Sequence, residues 1–320
     1  MNKPRIDMAN YLTPLRVALV GLGKIGFQND FRQSIEPTLT HYSTLASFSN
    51  VSIIAAVDNN ALFRQNFTAG TGIGTYKNIA ELKDEIDMAV ISASTDNHLD
   101  LVKEVIGNLK PEIIVCEKPM GLNSKEAIEI VNLAKSNSII LYVPYLRRYM
   151  PHIKMLSQKI KSRQHGKIIE VSVEYGQGLL TNGSHFVNLV DYLVGGLSAE
   201  ISVISRVDPL NPSWTMTSAD NAIVKFQGSS AQTRSGEIRI RCETGEYILL
   251  HGGIVTYFGS IDPMSGWLEQ PCDLRITDWR LGMQNFYSYL LLNHAKDLND
   301  ISEDLESAIR TQKIITKALR

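Results

Sequence analysis

Hydrophobic residues fall in unbroken runs over the first 145 positions, and the pattern changes after Pro151, where the run at 167–175 alternates imperfectly. The runs at 16–21, 51–57, 87–93, 112–116 and 138–143 are continuously apolar, as strands are when both faces of a parallel sheet are covered. Between them the spacing turns helical, over 78–84, 97–109 and 124–136. The last segment reads with Ser124 as its N-cap and Ala127, Ile128, Val131 and Ala134 on one stripe. A further helix is predicted from near Thr40, through Tyr42, Leu45, Ala46 and Phe48. This alternation predicts an α/β domain with a doubly wound parallel sheet over 1–146.

After Pro151 the pattern changes. Helices over 152–162 and 184–194 flank a strand at 167–175. Strands at 199–207, 221–227, 235–242, 246–251, 254–259 and 273–279 then come without helices between them. Strands without crossovers predict a mainly antiparallel sheet, in an α+β domain over 147–320. Helices over 281–296 and 302–319 close the chain, and the last is expected to pack back near the first domain.

One turn changes the picture from fold to chemistry. The first strand runs into Gly21-Leu22-Gly23-Lys24-Ile25-Gly26, and the second ends in Asp58. In such a turn the first glycine allows the tight bend and the second lets the backbone approach a pyrophosphate. The third lets the next helix sit close to the strand. A helix N-terminus would then face the phosphates. Asp58 would accept hydrogen bonds from the adenosine ribose and repel a 2′-phosphate, so NAD is expected in preference to NADP. Lys24, Ile25 and Asn59 join the expected cofactor contacts. Asp58 lies farther from Gly26 than the roughly 20 residues usual for this unit. The excess falls in 27–40, which carries Gln28, Asn29, Asp30, Arg32 and Pro37 and is expected to line or cover the cofactor cleft.

Composition narrows the function classes. The 320 residues suffice for two domains with separate cores, and the net charge is −1 with 44% hydrophobic residues. No long basic run points to nucleic acid, and no apolar stretch reaches the ~18 residues that span a bilayer. Residues 1–14 lack the apolar segment of a signal peptide. Cys116, Cys242 and Cys272 suggest neither a disulfide framework nor a metal site. A cytoplasmic protein is expected, with no metal and no membrane or nucleic-acid partner.

Two segments lie where an open α/β sheet binds its ligands, beyond the carboxyl ends of the strands. Ser94-Thr95-Asp96-Asn97-His98 would wall the nicotinamide half of the cofactor, with Ser94, Thr95, Asn97 and His98 as contacts; Thr95 or Asp96 would equally cap the next helix. Glu117-Lys118-Pro119 puts a charged pair at a strand end, pointing into the cleft; Pro119 fixes the backbone and is open to the cis form. A lysine beside a cationic nicotinamide would have its pKa pushed down, which suits proton transfer; a surface salt bridge is the plainer alternative. In the second domain, Phe186, Leu189, Val190 and Leu193 form the buried stripe of a helix, leaving His185 and Asn188 together on another face.

Together the glycine turn, the 94–98 segment, Cys116–Pro119, Leu146–Pro151 and 182–195 resemble the glucose–fructose oxidoreductase / inositol dehydrogenase (Gfo/Idh/MocA) family, across essentially the whole chain and in the same order. The resemblance implies a Rossmann domain followed by a domain with a large open sheet that serves as an oligomer interface, in a homodimer or homotetramer. It implies NAD(P)-dependent hydride transfer on a sugar, cyclitol or nucleotide-sugar. By motif it makes Lys118 and His185 catalytic and sets Glu117 beside the nicotinamide ribose. Three positions depart from the commoner pattern: Thr181 stands where many members carry aspartate, Leu146 where many carry Asn or Gln, and Asn188 where aspartate is frequent. The segment Gly178–His185 and the long stretch after the glycine turn resemble a branch associated with bacterial surface-polysaccharide sugars.

The expected function is therefore an NAD-dependent dehydrogenase acting on a CH–OH group of such a sugar. Arg147, Arg148, Tyr149, Tyr175, Asn182 and Asn188 are candidate substrate contacts, and the arginines suit an anionic group. Two alternatives stay open: a non-catalytic NAD- or sugar-sensing regulator of the same fold, and an NAD-dependent glycosidase or lyase.

Overall fold

The computed structural model describes residues 14–31, 38–230, 236–262, 264–266, 272–293 and 298–320. The chain divides into two compact units, Met1–Pro144 with Arg280–Glu306, and Tyr145–Trp279 with Ser307–Arg320.

In the first unit six strands form a parallel sheet: β1 (Leu15–Val20), β2 (Val51–Val57), β3 (Thr75–Tyr76), β4 (Met88–Ile91), β5 (Ile113–Cys116) and β6 (Ile140–Tyr142). Their order is β3-β2-β1-β4-β5-β6, so the strand order reverses at β1/β4. β4 and β5 are buried along their whole length, which is why they read as unbroken apolar runs. The helices are α1 (His41–Ala46), α2 (Ala61–Thr71), α3 (His98–Asn108) and α4 (Ser124–Ser136). A later helix, α7 (Gly282–Asn293), also belongs to this unit and buries Phe286, Tyr287 and Leu290.

Local chemistry explains the helix ends. The Thr40 hydroxyl accepts from the Ser43 N–H and starts α1. α2, which the hydrophobic pattern did not predict, is capped by Asn60 and stopped by Gly72 at φ 74°; of its residues only Phe67 is buried, so its stripe is faint. The predicted cap of α4 is corrected: Asn123 accepts from the Lys125 and Glu126 N–H groups, and Ser124 is the first helical residue. Neither Thr95 nor Asp96 caps α3, whose N-terminus has no side-chain cap. The segment over 78–84 is a single 3₁₀ turn, Ile79–Glu81.

In the second unit eight strands form an open sheet in the order β14-β13-β12-β11-β7-β10-β9-β8. They are β7 (Ile168–Gly176), β8 (Leu197–Ser205), β9 (Ser213–Ser218), β10 (Ile223–Ser229), β11 (Glu237–Cys242), β12 (Gly245–Leu250), β13 (Val255–Ser260) and β14 (Cys272–Ile276). Only β7 and β10 run parallel. One face carries the core, including Val171, Val173, Trp214, Val224, Phe226, Ile238 and Ile240. It packs with α5 (Pro151–Lys161), α6 (Ser184–Leu193) and the last turns of α8 (Leu298–Ala318), which bring Ile153, Leu189, Ile314 and Ile315. Trp214 stacks on Phe226 at 4.6 Å, and burial of each such side chain stabilises by roughly 1.5–3 kcal/mol. The other face carries charged pairs such as Lys225–Glu170 and Arg239–Glu246. Among the described residues no helix is long and apolar enough to cross a membrane.

Candidate active site

In the first unit the glycine turn is tight and closely packed. Gly21 has φ 100°, and a Cβ there would lie 2.6 Å from the Ala93 nitrogen. A Cβ on Gly26 would lie 2.3 Å from the Gly21 carbonyl oxygen, so β1 and the next turn meet at van der Waals distance. A Cβ on Gly23 would meet nothing within 4 Å: this is open space beside bare backbone, the cradle that a pyrophosphate needs. Asp58 reaches back to the turn, its Oδ2 accepting from the Leu22 N–H at 2.7 Å and its Oδ1 from the Asn60 N–H at 2.7 Å. Lys24 is exposed, Ile25 half-buried and Asn59 exposed.

Beyond Gly23 the backbone departs from expectation. Lys24–Gln28 forms one wide π-type turn, with the Phe27 and Gln28 N–H groups both bonded to the Gly23 carbonyl. The helix begins only at His41, so its N-terminus is not the group at the glycine turn. Phe27 instead packs with Phe31, Tyr42 and Phe67, and Asp30 Oδ2 accepts from the Leu39 and Thr40 N–H groups. Residues 32–37 of the expected covering segment lie outside the described residues.

Past the carboxyl end of β4, which pairs with β1 and so lies beside the glycine turn, Ser94, Asp96 and Asn97 are exposed and Thr95 is half-buried. His98 is corrected: it is 1% exposed, and its ring nitrogens sit 3.0 and 3.1 Å from the Ala93 and Pro119 carbonyl oxygens. It ties two loops together behind the edge.

The Lys118–Pro119 peptide is cis and Lys118 is half-buried. Glu117, expected to point into the cleft, is corrected to a buried position. The carboxylate is buried and closes a chain that no sequence motif marked: Glu117 Oε1 accepts from His41 Nε2 at 3.1 Å, and His41 Nδ1 meets the Tyr287 hydroxyl at 2.6 Å. Glu117 Oε2 accepts from the Lys118 N–H at 2.9 Å. Burial raises the Glu117 pKa, but the His41 hydrogen bond and the charges of His41 and Lys118 outweigh it, holding the carboxyl below its ordinary value. Cys116, next in the strand, is a buried free thiol whose pKa burial pushes up.

The second unit carries the other half of the predicted residues. Gly178–Gly183 forms a second wide turn, its Gly183 N–H bonded to the Gly178 carbonyl, and leads directly into α6. His185 is the second residue of α6, half-buried, with the Tyr145 ring edge-on at 6.1 Å. Asn182 is buried, donates to the Gly176 carbonyl and accepts from Arg147 Nη2 at 3.3 Å. Thr181, in the place of the commoner aspartate, is exposed and donates to the Gln177 carbonyl.

Four substrate expectations are corrected. Asn188 is 0% exposed and donates to the Ser307 and Thr311 hydroxyls on α8. Tyr175 is buried, its hydroxyl donating to the Pro212 carbonyl at 2.6 Å. Arg148 is buried over the Tyr192 ring, and Tyr149 is buried with Lys154 over its ring. Nearby Asp191 is also structural: it pairs with Arg310 through both oxygens at 2.9 Å and accepts from the Leu197 N–H.

Residues 15–145 match the family model described as "Oxidoreductase family, NAD-binding Rossmann fold", which is that of Gfo/Idh/MocA. Over these residues the chain is similar to this family, and its first unit has the strand order of the Rossmann fold that the model describes. It is 31% identical over 163 residues to the rhizopine catabolism protein MocA of Rhizobium meliloti, covering 50% of this chain and 47% of that protein. It is 23% identical over 249 residues to an inositol 2-dehydrogenase/D-chiro-inositol 3-dehydrogenase of Lactiplantibacillus plantarum, covering 72% and 66%. The chain thus spans about half to two thirds of these relatives' length. Its fold is similar to that of the WlbA dehydrogenase from Bordetella pertussis, solved with NADH and UDP-GlcNAcA, at a TM-score of 0.73 and 15% identity over 96% of each chain.

Proposed function

We propose that the protein is an NAD-dependent dehydrogenase acting on a hydroxyl-bearing carbon of a sugar or nucleotide-sugar. The observation that supports this most strongly is the glycine turn with its open cradle at Gly23 and Asp58 beside it, in a chain that keeps Lys118 at the strand edge and His185 at the head of α6. The names of its relatives point the same way. When bound, NAD supplies the acceptor or donor of a hydride.

This chain's residues do the rest. Asp58 hydrogen-bonds the adenosine ribose, and the backbone at Gly23 lies against the pyrophosphate. In oxidation the C–H bond of the substrate breaks with its electron pair, and Lys118 or His185, in its neutral form, takes the hydroxyl proton as the C=O bond forms. Reduction returns both. Glu117 holds the backbone of Lys118 through its own side chain, so the lysine starts from a fixed point. A role on surface-polysaccharide sugars and assembly through the open sheet belong to the same proposal.

Lys118→Ala tests it. Turnover, read as nicotinamide absorbance over a sugar and nucleotide-sugar panel, should vanish while NAD still binds. A near-native kcat in this variant would sink the assignment. A wild-type protein that binds NAD and turns over nothing would favour the sensing alternative.

A further inference from the structure

Arg147 is a half-buried cation whose guanidinium Nη1 is fully buried, and among the described residues no anion meets it. It sits in the short turn Leu146–Tyr149 ahead of α5. Its guanidinium lies 4.4 Å from the centroid of the Phe186 ring, and its one hydrogen bond among the described residues is to a neutral acceptor, Asn182 Oδ1. Nη1 is buried and meets no acceptor. Among the described residues no carboxylate pairs with it, whereas Arg310 of the same unit is matched oxygen for nitrogen by Asp191. Burial lowers its pKa to about 10, so it stays protonated at neutral pH.

An unpaired charge in a desolvated place is costly, and it persists where something else completes it. The backbone makes room for this one. Between β12 and β13, His251, Gly252 and Gly253 all have positive φ, at 51°, 68° and 97°. A Cβ on Gly252 would stand 2.7 Å from Arg147 Cζ and 2.9 Å from Nη1. Bonds from the Gly252 N–H to the Gly236 carbonyl and from the Gly253 N–H to the Leu250 carbonyl hold this turn. The second arginine, Arg148, is stacked on Tyr192, so the two are not equivalent.

We propose that Arg147 is the group that recognises an anionic substituent, a carboxylate or a phosphate, on the substrate. Nη1 donates to the anion, Asn182 fixes the orientation of the guanidinium, and Gly252 keeps its space open. Arg147 thereby sets substrate class and takes no part in the proton or hydride steps. That the anion belongs to a substrate rests on the dehydrogenase reading; anion binding as such does not.

The test uses the NAD-loaded protein and matched pairs titrated by calorimetry: D-glucuronate against D-glucose, D-glucose 6-phosphate against D-glucose, and UDP-glucuronate against UDP-glucose. Wild type should bind the anionic member of at least one pair about 10–100-fold more tightly, the range of a charge-assisted hydrogen bond. The uronate and phosphate arms tell which anion is read. Arg147→Met should lose the preference and Arg147→Lys should keep part of it. Gly252→Ala, which retains the arginine but displaces it, should also lose it. Without ligand, Arg147→Met should melt at or above the wild-type temperature, because it removes an uncompensated charge. No preference in any pair, a preference surviving Arg147→Met, or an Arg147→Met protein that melts well below wild type would each overturn the proposal. Anion binding through Arg147 with no reduction of nicotinamide would leave it standing and sink the dehydrogenase reading.

Discussion

Replacing His41 by Phe tests the buried chain behind the lysine. The ring shape is kept and both nitrogens are lost. Two polar atoms then stay buried without their partner: Glu117 Oε1, 3.1 Å from His41, and the Tyr287 hydroxyl, 2.6 Å from it. Each such loss costs about 1–3 kcal/mol, so the variant should be less stable by roughly 2–6 kcal/mol. In a chain of this size that is a fall in Tm of roughly 3–9 °C, read by differential scanning fluorimetry or calorimetry. The pH dependence has a definite sign. In the native protein the Glu117 pKa is held below its ordinary value, so its contribution is full above the unfolded-state pKa of about 4.3 and is lost as pH falls through the folded value. Without His41 only Lys118 still opposes the desolvation that raises this pKa, so the pKa moves up and the variant loses less stability than the native protein as Glu117 takes up its proton. The gap between the two proteins should therefore be widest near neutral pH and shrink toward about pH 4. A fall in Tm of under about 2 °C, or a gap that does not narrow in acid, would refute the chain as described.

Asp58→Ala should weaken NAD binding by about 10–100-fold and narrow the gap to NADP, because Arg64, which donates to the Asp58 carbonyl at 2.7 Å, stands ready for a 2′-phosphate; a native protein that binds NADP more tightly would contradict the role given to Asp58. His185→Ala should slow the chemical step by about 10²–10⁴-fold, the usual scale of general acid–base help, with His185→Asn losing less; unchanged single-turnover rates would make it a packing residue. Gly26→Ala should abolish NAD binding and lower stability, since its Cβ would lie 2.3 Å from the Gly21 oxygen; ordinary NAD affinity in a folded variant would remove the close approach from the account.

Local patterns carried much of the fold. The unbroken apolar runs became β1, β2, β4, β5 and β6, and the glycine turn fell where β1 ends because only glycine fits at Gly21 and Gly26. What stayed hidden was set by tertiary partners. β9, with Trp214 and Met216 inward, was not predicted although Ser213–Ser218 alternates faithfully. Tyr175 was misplaced for a reason the sequence did contain: Val171, Val173 and Tyr175 share one face of β7 at period two, and that face is the core. Asn188 could not be placed so simply, because α6 is buried nearly all round and its second face meets Ser307 and Thr311. Glu117, His41 and Tyr287 come from three distant stretches of sequence, and no local spacing marks a chain of hydrogen bonds that only the folded sheet assembles. The Gly252 turn is hidden likewise, since its partner Arg147 lies on another element.

Hydride transfer itself can be followed by its label. The protein, loaded with NAD+, would be incubated with a pool of carbon-deuterated hexoses, hexuronates and their nucleotide esters, and the recovered nicotinamide read by mass spectrometry. The account predicts deuterium in the reduced cofactor from wild type and none from Lys118→Ala with NAD still bound. Unlabelled, unreduced NAD after incubation of wild type with the whole pool would contradict it.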